Sequence, residues 1–168
     1  MKITQRLVGD HLTFRKMLAD LDGLADQIAS QRDTVKLIRL VELLKDHLTL
    51  HAWCEDTFYY PAVRSAVRTT PFPPLNNAYI DHLDEEHKTV DRYLDHLEQE
   101  VKAQPPQAYW PQTYALFAKG LSAHMKKEEE ELFPLSEQLL GADRLEALSQ
   151  QLEKHRREAP RARMHVRR

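Results

Sequence analysis

Six residues of this chain recur in an order that suits metal chemistry. His11 is followed 40 residues later by His51, with Glu55 four residues beyond it and Pro61 ten residues beyond it. His87 is followed 37 residues later by His124, and again a glutamate, Glu128, stands four residues on and a proline, Pro134, ten residues on. Residues four apart on a helix share a face, about 6 Å apart along the axis, so each His-x-x-x-Glu pair can address one centre. Imidazole nitrogen suits iron, zinc, copper or nickel, and carboxylate can bridge two ions. Two histidines and a carboxylate, offered twice on helical stretches, are what a pair of metal ions in the middle of a four-helix bundle requires.

One His-x-x-x-Glu pair alone is a weak signal, because glutamate is common in helices and a lone helical histidine is more often structural. The joint arrangement is stronger. Each of four helical stretches supplies a histidine, the proline spacing repeats, and the histidines fall on apolar stripes. Four unpaired imidazoles there would be costly to bury.

The elements that position these residues follow from hydrophobic periodicity. Leu7, His11, Phe14, Leu18, Leu21, Ala25 and Ile28 trace one face of a helix from about 4 to 30. Asp33-Thr34 precedes a second helix, from about 34 to 68, whose face includes Val35, Ile38, Val41, Leu44, Leu48, Ala52 and Tyr59. Pro71, Pro73 and Pro74 break it. A third helix, about 75 to 103, presents Ile80, Leu83, His87, Val90, Leu94 and Leu97, and Pro105-Pro106 ends it. A fourth, about 108 to 140, runs through Leu116, Gly120, His124 and Glu128 to a C-terminal cap at Gly141. A short fifth helix covers about 142 to 157. The expected fold is all-α: an up-down-up-down four-helix bundle over residues 1–140, then a short fifth helix and a basic tail over 141–168. Pro61 and Pro134 should each kink or end their helices.

The 168 residues suffice for one domain with a real core, and four glycines argue against hairpins. The net charge of −2 implies no strong electrostatic partner. Residues 154–168 carry seven basic residues against one acidic one, which reads as a solvated terminus before it reads as a nucleic-acid site. The single cysteine, Cys54, excludes a disulfide framework and suits a reducing cytoplasm. No stretch resembles a signal peptide or a membrane span.

The ordered set Asp10-His11-x-x-Phe14-Arg15, His51-x-x-x-Glu55-Asp56-Thr57-Phe58-Tyr59-Tyr60-Pro61, Glu86-His87 and His124-x-x-x-Glu128-Glu129-Glu130-Glu131-Leu132-Phe133-Pro134 resembles the hemerythrin-like proteins of the HHE cation-binding type. The likeness covers about residues 4 to 140. It implies a non-haem di-iron centre, two irons joined by oxo, hydroxo or water groups, with His11, His51, His87 and His124 as nitrogen ligands and Glu55 and Glu128 as bridges. Zinc and manganese rank behind iron. Blood-type hemerythrins add an HxxxH pair on the third helix, where this chain has Leu83, and some relatives carry a glutamate where it has Ala52. His47, one turn before His51, is the substitute for the fifth nitrogen, as a ligand or as a hydrogen-bond partner of one; His82 should point elsewhere. Asp10 and Glu86 either orient partners or face solvent, and Asp56 and Glu129 read as surface acids. Tyr59 and Cys54 read as core.

The resemblance implies a protein that binds iron and dioxygen as carrier, sensor or iron and redox handler, its partner dioxygen or another diatomic or peroxide. The alternatives are a di-iron enzyme acting on peroxide or nitric oxide, and a metal-free helical module that binds a protein partner.

Overall fold

The computed structural model of the chain describes residues 1–25, 31–104, 106 and 108–158. Ile28, Pro105 and the basic residues beyond 158 lie outside the described residues. Among the described residues the chain is helical, with no strand. Six helices and two π-helical turns occur in order: α1 (Ile3–Ala25), α2 (Gln31–Cys54), a π turn (Glu55–Tyr59), α3 (Tyr60–Thr69), α4 (Asn77–Lys102), α5 (Trp110–Lys127), a second π turn (Glu128–Leu132) and α6 (Phe133–Glu158). α2 starts before Asp33-Thr34, so Asp33 sits in its first turn rather than ahead of it. After the proline-rich break, Asn76 caps α4 by accepting a hydrogen bond from the Tyr79 backbone N–H at 2.9 Å.

The prolines do not end their helices. Pro61 and Pro134 carry no N–H, so neither can donate to the carbonyl four residues back. The chain answers by widening one turn: the Tyr60 N–H reaches Glu55 O and the Phe133 N–H reaches Glu128 O. Each π turn thus begins at one glutamate of the repeated pattern and ends just short of the residue before its proline. The helices continue through as α3 and α6.

α1, α2, α4 and α5 form a closed ring of neighbours, α1 against α2, α2 against α4, α4 against α5 and α5 against α1. Two apolar clusters fill it. One gathers Phe14, Leu18, Leu21, Val41, Leu44, Leu94, Leu97, Phe117 and Leu121. The other gathers Ile3, Leu7, Tyr59, Tyr60, Ile80, Leu83, Leu132 and Phe133. His11, His51, Glu55, His87, His124 and Glu128 fall between the two along every helix. α1 and α4 run from the second cluster to the first, and α2 and α5 run back. Two positions of the expected stripes face outward: Val35 is 47% exposed and Leu116 is 53% exposed. In α5 the inward row is Tyr114, Phe117, Leu121, His124. The three successive steps of four from Leu116 to Glu128 drift about 40° each around a helix, whereas mixing steps of three and four holds one face.

Gly141 divides α6, with φ 74 and ψ 165, where the chain turns and a second helical run begins. That run brings Leu145, Leu148 and Leu152 into the second cluster. Three buried leucines, at roughly 1.5–3 kcal/mol each, hold it against the bundle. Arg6 pairs with Glu153 at 3.1 Å and the N-terminal amine with Glu146 at 3.2 Å. Nothing lies within 4 Å of a Cβ built on Gly141, so only its backbone conformation resists a side chain. Gly141→Ala should therefore cost about 1–3 kcal/mol, read as a lower urea midpoint at unchanged slope.

Candidate metal centre

The six residues singled out by spacing come together. His11, His51, Glu55 and Glu128 form one group and Glu55, His87, His124 and Glu128 another, each group with its ligand atoms all within 4.8 Å of one another. Glu55 and Glu128 belong to both groups. His11 Nε2 lies 3.2 Å from His51 Nε2 and 3.3 Å from Glu128 Oε2. His51 Nε2 and His87 Nε2 stand 3.3 and 3.2 Å from Glu55 Oε2. His124 Nε2 stands 3.5 Å from Glu128 Oε2. The first-half pair and second-half pair of imidazoles face each other in the same way, with ring centres 4.9 Å and 4.5 Å apart.

Each imidazole turns Nδ1 away from the centre and toward a carboxylate. Glu129 accepts from His11 at 2.8 Å, Asp10 from His51 at 3.3 Å and Glu86 from His124 at 3.0 Å. Asp56 stands 3.4 Å from His87 Nδ1, within ion-pair reach but outside hydrogen-bonding geometry. A carboxylate only accepts, so Nδ1 carries the proton and Nε2 is left to face the centre. The pattern is crossed. The acid beside His11 orients His51, the acid beside His87 orients His124, the acid after Glu55 faces His87, and the acid after Glu128 orients His11. Asp56 and Glu129 are thus not idle surface acids, and Asp10 and Glu86 take the orienting role. Arg15 clamps Glu129 with bonds of 2.9 and 2.8 Å, and Lys127 donates to Glu86. The hydrogen bond from His124, with help from Lys127, holds the Glu86 carboxyl down at about 2.

Sequence reasoning missed Tyr60. Counting four from Glu55 puts Tyr59 on the ligand face, but the π turn adds a residue and Tyr60 takes that place. Its hydroxyl donates to Glu128 Oε1 at 2.7 Å and lies 3.4 Å from His87 Nε2. Burial, and the nearby Glu128 and Glu55, push the phenol well above its usual value, so it remains a donor. Tyr59 instead shares a 2.5 Å hydrogen bond with Ser136. Pro61 was the available signal, since its missing N–H is what shifts the phase.

His47 is exposed and belongs to neither group. On α2 the inward row is Leu44, Leu48, His51 and Glu55, and His47 sits about 100° from Leu48. The His82 side chain is 62% exposed and meets Glu86 at 3.1 Å, outside the centre. Leu83 and Cys54 are buried apolar positions.

The donors fit a metal. Glu55 and Glu128 are fully buried, and both Glu55 oxygens, Glu128 Oε2 and His124 Nε2 have no hydrogen-bond partner. Buried polar atoms that lack a hydrogen bond cost about 1–3 kcal/mol each, more when charged, and a cation among these atoms would remove that cost. Removing an orienting acid should weaken rather than abolish binding: Asp10→Ala and Glu86→Ala should each lower metal affinity about 10–100-fold at unchanged stoichiometry. His47→Ala and His82→Ala should leave it unchanged in the same titration.

A bundle whose six His and Glu donors, five of them buried and His87 nearly so, meet between two apolar clusters defines a class, the helical proteins built to hold metal cations. The chain matches the hemerythrin HHE cation-binding domain over residues 2–136 and belongs to that family. No curated protein and no solved structure matches it.

Proposed function

We propose that this chain is a non-haem di-iron protein that binds dioxygen as a carrier, a sensor or a handler of iron and redox equivalents. The observation that carries the reading is the sharing of Glu55 and Glu128 by two groups of donors. One group would hold one ion through His11 and His51, the other a second ion through His87 and His124, with both glutamates between them. Four neutral imidazoles and carboxylates suit iron. Iron supplies reversible affinity for dioxygen and related small molecules. The chain's own residues orient the imidazoles through Asp10, Glu86 and Glu129, keep bulk water out with the two apolar clusters, and hold a proton on the Tyr60 hydroxyl.

An up-down-up-down order of residues 1–140 agrees with the alternation of helix direction between the clusters, and residues 141–168 then form a covering helix and tail. No described helix is long and apolar enough to cross a membrane; a reducing cytoplasm is the compartment we propose.

Peroxide or nitric oxide turnover is the second reading. The Tyr60 O–H, 2.7 Å from Glu128, favours it by placing a proton donor beside the centre. Elemental analysis of protein purified without added metal should give two irons per chain, and its absorbance should change on exposure to dioxygen. One zinc, or no metal, would overturn the reading, and turnover of peroxide or nitric oxide would favour the enzyme.

A further inference from the structure

The two halves of the centre do not meet solvent equally. A cleft of about 320 Å³ has Asp56, Tyr60, Pro61 and Arg64 in its wall, together with His87 itself. The equivalent positions in the other half, Glu129, Phe133, Pro134 and Glu137, line a second cleft of about 390 Å³. That cleft does not reach its histidine: His11 is fully buried, whereas the His87 side chain stays 11% exposed although Tyr60 stacks on it as Phe133 stacks on His11. Behind the first cleft lies a cavity of about 20 Å³ against His51, His87 and His124, its remaining wall largely Leu48, Val90, Leu121 and Met125. About 10–15 Å³ is enough for one water, so this space takes one molecule of diatomic size. Ala52 and Asp91 line both the cleft and the cavity, and Ala52 also lines a neighbouring surface cleft of about 290 Å³.

The internal repeat shows why one seam is open. Counted from the histidines, Ala52 corresponds to Met125, Val90 to Phe14 and Asp91 to Arg15. Met125 and Phe14 are each 1% exposed, and Phe14 sets its ring edge-on to His51 at 5.1 Å. Arg15 is tied across to Glu129 by two hydrogen bonds. Arg15 thus ties α1 to the π turn after α5, while Phe14 and Met125 fill the space beside the histidines. Their counterparts leave the seam between α2 and α4 with a methyl group at its threshold.

We propose that Ala52 is the gate to the metal centre, and that one small neutral molecule of diatomic size reaches the centre along the α2–α4 seam and by no route through α1–α5. Neutrality follows from the largely apolar cavity wall; the cleft outside carries both signs, Asp56, Asp84 and Asp91 against Arg64 and Lys88, and so selects for neither ion. The proposal rests on the metal-holding reading above and gives the size, charge class and path of the ligand.

Ala52→Met tests it by giving the first half the residue of the second. The iron(II)-loaded protein is mixed anaerobically with nitric oxide in a stopped-flow spectrometer, and iron content is measured on the same samples. Ala52→Met should slow association at least tenfold with two irons retained, and Ala52→Val should fall between it and the unmodified protein. Val8→Met, in the wall of the closed cleft, should leave the rate unchanged. Wild-type rates in Ala52→Met at full iron content would overturn the gate, as would equal slowing by Val8→Met. Should Ala52→Met lose its iron, Ala52→Val decides, an unchanged rate again overturning the gate. A wild-type protein that holds no iron would overturn the metal reading itself, and the gate with it.

Discussion

Glu55→Ala and Glu128→Ala should each reduce the chain from two bound ions to at most one. Each glutamate belongs to both donor groups, so a single truncation leaves both ions short of a ligand, and the pair loses a bridge. The effect on the metal-free protein should differ in kind. Both Glu55 oxygens are buried without a hydrogen bond, and the charge is held in place by His51 and His87 rather than by solvent. Removing one partner of a buried ion pair costs about 3–5 kcal/mol, because the other charge is left uncompensated. Glu55→Gln should therefore destabilise the metal-free chain at low pH, where His51 and His87 are protonated, less than Glu55→Ala, which also leaves a cavity, and both should lose the second ion. Elemental analysis, with urea midpoints in the presence and absence of chelator, separates the two effects. Two ions retained in both alanine variants would remove these glutamates from the centre.

The metal-free and metal-loaded forms should respond differently to pH. Burial alone would lower the His51 pKa, but the Glu55 carboxylate, with Asp10 and Glu128, outweighs it and raises His51 from 6.5 to about 10. His87 moves in the same direction, against its own burial, through Asp56 and Glu55. The folded metal-free chain thus keeps protons that the unfolded chain releases. The stability these histidines add is fully present below 6.5 and is lost as pH climbs toward about 10. Glu55 works the other way. Burial raises its pKa, but His51 and His87 hold it well below 4.5, so its contribution is present above 4.5 and lost in acid. A metal takes the place of the histidine protons, so loading should release protons and tighten with rising pH. Chelated protein should lose stability between pH 6.5 and 10 while loaded protein gains relative to it, as urea midpoints and a dye-followed proton release would show. Chelated protein that grows more stable across that window would refute the account.

The six donors were legible because their geometry is local. Two residues four apart on one helix share a face whatever the rest of the chain does, and the repeat of that spacing next to a proline marks both halves. The orienting acids were only half legible: Asp10 and Glu86 could be read as orienting or as facing solvent, and Asp56 and Glu129 read as surface acids, because each serves a histidine on another helix. Glu129 is 118 residues from His11 in sequence, and Asp10 is 41 from His51. Tyr60 was hidden by a phase shift, since counting turns of an ideal α-helix selects Tyr59. His47 was attractive by the same counting and failed because α2 turns Leu48, not His47, inward.

The sequence by itself therefore determined the helical class, the four helices and the two sets of donors, all of which depend on periodicity and on the missing N–H of proline. Only the tertiary structure decided which acid orients which imidazole, that Glu55 and Glu128 belong to both donor groups, and that Phe14 and Met125 are buried while Ala52 lines a cleft beside His87. Those outcomes depend on how four helices meet, and side chains that meet across a bundle leave no spacing in the chain to be read.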